Sequence, residues 1–392
     1  MKDEWKRVKL SNYATVSSSK RIYASEYVDL GIPFYRGKEI VEGVSSSHLN
    51  SLFISQERFN KIKTTYGVPL KGDILLTSVG TLGIPYYVLG DHDFYFKDGN
   101  LTWFRKFNGL DSKWFYYWIQ SHEGKYELKK CEIGSSQKAY TIKKLSGIEF
   151  PNIREDYQSQ IANIVSKYDD LIENNQSRIK ILEEMAQRLY SEWFVKFKFP
   201  GHENVKMVDS GTEFGIIPEG WDVRTIGSIL GPVRRKQLIK KSAYLSEGKY
   251  PIVDQGKDLI SGRTNDEESI INEELIVFGD HTRCFKYCNF KFARGADGTQ
   301  ILNSRDKKRM PNILLFFMAK NSGLKNYQYA RHFKFLKVIK LIIPKQEIAE
   351  GFDREVSKYY SLISIIRERN EQLIKIRDLL IENIVTGKRL LK

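Results

Sequence analysis

The sequence predicts an α+β protein: two mixed α/β globular domains joined by two long antiparallel coiled-coil helices, arranged as an internal pseudo-two-fold repeat. Three observations predict it. The octapeptide VSKYDDLI from Val165 returns 191 residues later as VSKYYSLI from Val356. Each copy lies inside a heptad stripe of apolar residues, the pattern of a coiled-coil seam. Each stripe is preceded by short β-type runs that end at a proline.

The first domain spans 1–153. Runs such as ILLTSV, PYYVL and LTWF, separated by Gly, Asp and Asn turns, read as strands, with a helix around Trp114 to Ile119. The run Gly147-Ile148-Glu149-Phe150-Pro151 closes it, and proline disfavours helix in the residue before it. A first long helix therefore falls in 154–199, with its end near Phe199-Pro200-Gly201. Its seam reads Ile161, Val165, Tyr168, Ile172, Asn175, Ile179, Leu182, Ala186, Leu189 and Trp193. A linker, 200–217, leads to the second domain, 218–345, which closes on Leu341-Ile342-Ile343-Pro344. The second long helix and tail occupy 346–392, with the helix ending near Thr386-Gly387. Its seam reads Phe352, Val356, Tyr359, Ile363, Ile366, Asn370, Leu373, Arg377, Leu380 and Ile384.

The globular halves correspond more loosely. Trp5-x4-Leu10 opens one and Trp221-x4-Ile226 the other; PFYRGKE (33–39) matches PIVDQGKD (251–258), and GDILL (72–76) matches ELIVF (274–278). From tryptophan to VSKY the distance is 160 residues in the first half and 135 in the second, so scaffold is shared and loops differ. A helix of roughly 38 residues is on the order of 57 Å long. Neither helix can leave its stripe in water, and antiparallel pairing within the chain is the economical solution; separate partner proteins are the other. Asn175 and Asn370 interrupt the seams at non-equivalent places. They are either alignment devices or wet positions on tolerant helices, and the pattern does not choose.

Composition narrows the function. The chain has 392 residues, 41% hydrophobic and 13% aromatic, enough for two or three folded domains. A net charge of +15 points to a polyanionic partner, first of all nucleic acid. A charged N-terminus, MKDEWKRVKL, and the lack of 18 uninterrupted apolar residues argue against export and membrane insertion. Three cysteines suit a reducing compartment, so a soluble cytoplasmic protein is expected.

Catalytic motifs fail. Gly31 and Gly37-Lys38 miss the P-loop spacing, and Glu39 stands where Ser or Thr is required. GTLG (80–83) has no GxGxxG frame, no Asn-Pro-Pro or Asp-Pro-Pro occurs, and Glu247-Gly248-Lys249 lacks an acidic partner for a nuclease. His281-x2-Cys284-x3-Cys288 has no CxxC companion, so no metal is expected, and no cofactor either.

Basic and aromatic residues interleave in loops instead. Lys20 and Arg21, Arg36 and Lys38, and Gln137, Lys138 and Tyr140 are the candidates in the first domain. Arg234 and Arg235, Gln255 and Lys257, His281 and Arg283, and Arg331 and His332 occupy comparable stations in the second. Lysine and arginine neutralise phosphates, and Arg36, Gln137, Gln255 and Arg283 are of types that read base edges. For any one of them a solvated surface role is the plainer reading; the clustering favours nucleic acid.

On GIPFYRGKEI (31–40), GDILLTSVGTLG (72–83), GSSQKAYTIKKLSGIEFP (134–151), WFVKFKFPGHENVK (193–206), IPEGW (217–221) and ENIVTGKRLL (382–391), the chain resembles the DNA-specificity subunit of type I restriction-modification systems over nearly its whole length. In the second half FGDHTRCF replaces the glycine-rich SVGTLG loop and YQYARHFKF replaces GSSQ. The resemblance implies a non-catalytic subunit whose two target-recognition domains each read half of a bipartite, asymmetric site in double-stranded DNA. It adds Ser78 and Thr81 of the SVGTLG loop to the candidates. It also implies paired helices, with Ile161, Val165, Tyr168, Ile172, Leu182, Val356, Tyr359, Ile363, Leu373 and Leu380 in their seam, that set the spacer and dock two modification subunits. Those subunits bind S-adenosylmethionine, and ATP-driven restriction subunits join them. The alternative function is a stand-alone architectural or regulatory DNA-binding protein.

Overall fold

A computed structural model describes residues 6–43, 52–135, 137–234, 236–326 and 330–389. Its contacts divide the chain into two compact units, Met1–Glu173 with Glu371–Lys392, and Asn174–Asn370.

In the first unit the opening strand Arg7–Lys9 pairs antiparallel with the closing strand Glu149–Pro151, with Val8 opposite Phe150. An antiparallel sheet runs in the order Thr15–Ser17, Leu101–Arg105, Ile74–Thr77, Pro85–Tyr87. All four residues of Ile74–Thr77 are buried, the mark of a central strand covered on both faces. A second sheet runs Tyr27–Val28, Leu52–Ile54, Ile32–Tyr35, Tyr95–Phe96, and its last pair is parallel.

Helix Ser112–Gln120 packs Trp114, Phe115 and Trp118 onto Phe104 and Phe150. It starts where Asp111 caps it, Oδ1 accepting from Trp114 N at 2.9 Å. The other Asp111 oxygen accepts from Ser159 Oγ at 2.6 Å, and Asp111 N donates to buried Gln158. The cap is thereby tied to the first turns of the long helix.

The second unit repeats this plan. Asp222–Thr225 pairs antiparallel with Lys340–Ile343. Leu275–Gly279, fully buried, is flanked by Phe285–Cys288 and Thr299–Leu302. A second sheet runs Gly262–Thr264, Tyr250–Val253, Phe292–Arg294, Ile270–Ile271, with its middle pair parallel. Helix Asn312–Lys320 lies where Ser112–Gln120 lies in the first unit's chain order.

The PFYRGKE and PIVDQGKD segments therefore both supply the strand with a parallel partner, and the GDILL and ELIVF segments both supply the central strand. Leu10, Trp221 and Ile226 are buried; Trp5 lies outside the described residues. A difference lies at one edge, where Thr15–Ser17 pairs over three residues but its counterpart in the second unit is the single bridge Leu230–Ser304.

The long helices span Glu155–Tyr190 and Gln346–Leu380, and each ends in a π-type turn, Ser191–Val195 and Ile381–Val385. The first stops short of Phe199 because Phe197 turns left-handed at φ 57°, which brings Phe199 onto Trp221 at 5.2 Å between ring centres. The helices run antiparallel within each unit. In the first, Arg377 Nη1 meets Asp169 Oδ1 at 3.0 Å, and Ile161 and Val165 share a core with Ile381 and Ile384. In the second, Arg367 meets Glu183 at 2.8 Å, and Phe194 packs on Phe352.

Of the expected seam, Ile161, Val165, Ile172, Val356 and Ile363 are buried, whereas Tyr168, Leu182, Tyr359, Leu373 and Leu380 are half-buried. At the second VSKY it is Tyr360, not Tyr359, that goes inside, because the globular core offers Tyr287, Phe316 and Phe317 on that flank. Asn175 Nδ2 donates to Asn370 Oδ1 at 2.7 Å, so the two interruptions that look unrelated along the chain occupy one layer.

Candidate nucleic-acid interface

Strand direction decides which loops of the first unit share an edge. Ile74–Thr77 ends at the Ser78–Thr81 loop, and Ile32–Tyr35 and its parallel partner Tyr95–Phe96 end at Arg36 and Lys97. Backbone bonds stitch these ends together. Lys97 N donates to Tyr35 O, Ser78 N to Asn100 O, and Tyr140 N to Ser78 O, with Val79 bridged to Ala139. Arg21 Nε reaches Asp98 at 2.7 Å, and Lys20 N donates to the Tyr95 hydroxyl at 2.7 Å. All the first-domain candidates thus come from one linked set of loops.

Within it the side chains differ in what they can do. Lys20, Arg21, Lys38, Thr81, Gln137 and Lys138 are exposed. Lys138 pairs with Glu132 at 2.6 Å and Lys20 covers the Tyr66 ring at 5.1 Å; both contacts are at the surface and yield readily to a phosphate. Arg36 is held in place: its guanidinium and its own N–H bond Glu39, which is 2% exposed. Burial pushes the Glu39 carboxyl up, but the Arg36 bonds outweigh it and hold it below the usual carboxylate range.

Ser78 is a correction. It is 2% exposed and shares a hydrogen bond with Thr102 Oγ1 at 2.7 Å, because the central strand's cover extends over it. It shapes the loop from inside, bonding Leu76 O as well. Tyr140 is half-buried, and burial raises its hydroxyl to about 12.

The second unit assembles the equivalent loops around two acids absent from the expected set. Asp280, 3% exposed, accepts from Phe333 N at 2.7 Å through Oδ1, while its carbonyl accepts from His332 N. Asp254 accepts from Gly256 N at 2.8 Å and Ser261 Oγ at 2.5 Å, and its carbonyl takes the buried Lys286 ammonium at 2.8 Å. Burial raises the Asp254 carboxyl, and these donors more than reverse it, so it stays low.

Two candidates are engaged within the protein here. Gln255 donates to Asp297 O at 2.8 Å and accepts from His281 N at 3.3 Å, which clips two loops together and uses both ends of its amide. His332 is 2% exposed, with Nδ1 2.9 Å from Asp280 O; it is packed inside and is corrected from a contact to a support. Arg234, Lys257, His281 and Arg331 are exposed, and Arg283, at φ 61°, directs Nη1 toward Leu324 O at 3.4 Å. Arg235 lies outside the described residues.

Arg234 also lines a cleft of about 640 Å³ with Lys236, Arg294 and Gln300. Arg294 and Gln300 were missed in the sequence. The signal was there in RGADG (294–298), a basic residue entering a glycine turn like those already chosen. Among the described residues no group of three His, Cys, Asp or Glu has metal-holding geometry, and Cys288 sits fully buried in the core.

Two units of one topology, each with exposed cations in the loops at its strand ends, joined by paired helices, define a duplicated polyanion-recognition protein. The family model described as "Type I restriction modification DNA specificity domain" matches residues 2–184 and 218–375, and the chain belongs to that family. It is 27% identical over 348 residues to the "Type I restriction enzyme MjaIX specificity subunit" of Methanocaldococcus jannaschii, covering 81% of this chain and 78% of that protein. A second specificity subunit of that organism, the putative MjaX subunit, is 27% identical over 292 residues, covering 67% of this chain and 64% of the relative. In fold the chain is similar to the crystal structure of a type I restriction-modification S subunit from M. genitalium, with TM-score 0.55, 16% identity, and 97% and 95% of the two chains covered. The assignment as a DNA-specificity subunit without a catalytic role of its own agrees with that membership. Among the described residues no helix is long and apolar enough to cross a membrane.

Proposed function

We propose that the chain reads a bipartite, asymmetric target in double-stranded DNA, with residues 1–153 and 218–345 as its two recognition domains. The observation that carries this reading is the repeated topology with unlike rims. One scaffold presents Lys38, Thr81, Gln137 and Lys138 in the first unit, and Arg234, His281 and Arg331 in the second. Identical readers would suit a palindrome; unlike ones suit a two-part site without symmetry.

The paired helices, 154–199 and 346–392, set the spacer and dock two modification subunits, with restriction subunits joining that core. Their outward apolar residues support a docking role: Leu171, Ile181, Met185, Ile365, Ile376 and Leu379 are each at least 43% exposed. Free, sparse cysteines and a DNA partner fit a cytoplasmic protein.

The test is co-expression with the cognate modification subunit and genome-wide mapping of methylated adenine. A two-part motif is expected, and methylation without one would overturn the reading. Exchanging 221–343 for another recognition domain should change one half of the motif only.

A further inference from the structure

The first unit holds a second basic cleft, at the other end of the strand Ile74–Thr77 from Thr81. It encloses about 710 Å³, more than a bare inorganic anion needs and within the range of small-molecule sites. Tyr66, Trp103, Arg105, Lys71 and Lys106 are among its lining.

Its centre is Arg105. The guanidinium lies over the Trp103 ring at 4.1 Å, and Nη1 has only a long contact to Tyr66 O at 3.4 Å. Its Nε is buried and has no hydrogen-bond partner, a costly state for a charged donor. An anion in the cleft would pair with the guanidinium through its Nη groups, and a guanidinium stacked on one side leaves its opposite face for a second planar group.

The surroundings favour the same ligand. Lys71 and Lys106 are exposed at the margin. Asp73, the carboxylate of the lining, is 7% exposed and turned to the protein: its Oδ2 accepts from Trp103 Nε1 at 2.8 Å and from Leu70 N at 2.9 Å. Gly67, at φ 82°, keeps the wall open, since a Cβ there would lie 3.5 Å from Arg105 Nη1 and 3.9 Å from the Trp103 ring.

We infer that this cleft binds a nucleotide, its phosphate on Arg105 with Lys71 or Lys106 and its base against the guanidinium face and Tyr66. The ligand is either a free nucleotide or one nucleotide of a DNA strand outside the target. The site lies at the far end of the central strand from Thr81, with Lys20 of the rim reaching its Tyr66 ring at 5.1 Å, and the proposal does not depend on the role assigned to that rim.

The probe is adenosine monophosphate, measured on the full chain by equilibrium dialysis and tryptophan fluorescence. Saturable binding of one molecule per chain is expected, with adenosine and inorganic phosphate each at least tenfold weaker. Arg105→Gln should weaken binding at least tenfold. Lys71→Gln, at an exposed position where folding is not at stake, should weaken it several-fold with an unchanged melting temperature. Competition by a target-free DNA duplex assigns the site to a DNA strand, and its absence to free nucleotide. No saturable binding at 10 mM, or equal binding by the original chain and both variants, would overturn the proposal.

Discussion

Asn175 and Asn370 share one hydrogen bond of 2.7 Å between the antiparallel helices, in a layer where the neighbouring seam residues are apolar. A polar pair in such a seam sacrifices some stability and gains register, since sliding either helix by a turn leaves both amides facing hydrocarbon.

The first prediction follows from that pair. Asn175→Leu or Asn370→Leu alone should cost about 1–3 kcal/mol, because each removes the bond and leaves the other amide in the seam. The double leucine variant should recover most of that loss. Urea denaturation of the four proteins gives the coupling energy; additive losses would show that the two residues do not act together.

Arg331 and His332 are adjacent, yet one is exposed and the other is 2% exposed beside Asp280. Arg331→Gln should leave the melting temperature unchanged and lower the slope of log affinity against log salt by about 1. His332→Ala should lower the melting temperature, with the salt slope kept in whatever fraction stays folded. The opposite pattern would reverse the assignment of the two roles.

The second unit's opening and closing strands are clamped by Arg309, which bonds Asp222 Oδ2 at 3.0 Å and Pro344 O at 3.1 Å. Burial raises the Asp222 carboxyl, but the Arg309 and Arg224 bonds prevail and hold it below its usual range. A lowered carboxyl contributes stability above its unfolded pKa and loses it as pH falls through the folded one. Arg309→Ala should therefore cost about 2 kcal/mol near neutral pH, less in high salt, and the difference should shrink below about pH 4. Denaturation of both proteins across that range reads it directly.

The cysteines should separate by reactivity. Burial pushes the Cys288 thiol up to about 12 and that of Cys131 up to about 11, so both stay protonated and shielded at pH 8. Cys284 is half-exposed. Brief alkylation of the folded chain, followed by peptide mass analysis, should label Cys284 first, with Cys131 and Cys288 modified only on unfolding.

Much of the architecture was legible because it is written as periodicity. The heptad stripes located both long helices, Pro151 and Pro344 marked where they begin, and the GDILL and ELIVF runs marked the two central strands. The site was less legible. Composition singled out cationic loops, and the topology does bring Arg36, Thr81 and Lys138 to one linked edge. It could not separate Arg331 from His332, or Thr81 from Ser78, since each pair lies in one loop and differs only in which side chain the neighbouring strands cover. Asp254, Asp280 and Arg105 carried no local signal because their roles come from partners distant in sequence.

The sequence by itself determined the repeat, the two long helices and the cationic character of the loops, because propensity, period and net charge act over a few neighbouring residues. Only the tertiary structure decided that Asn175 meets Asn370, that Gln255 clips two loops together while His332 packs inside, and that Arg105 faces a cleft. Each of those depends on desolvation and on geometry between segments that chain order leaves far apart.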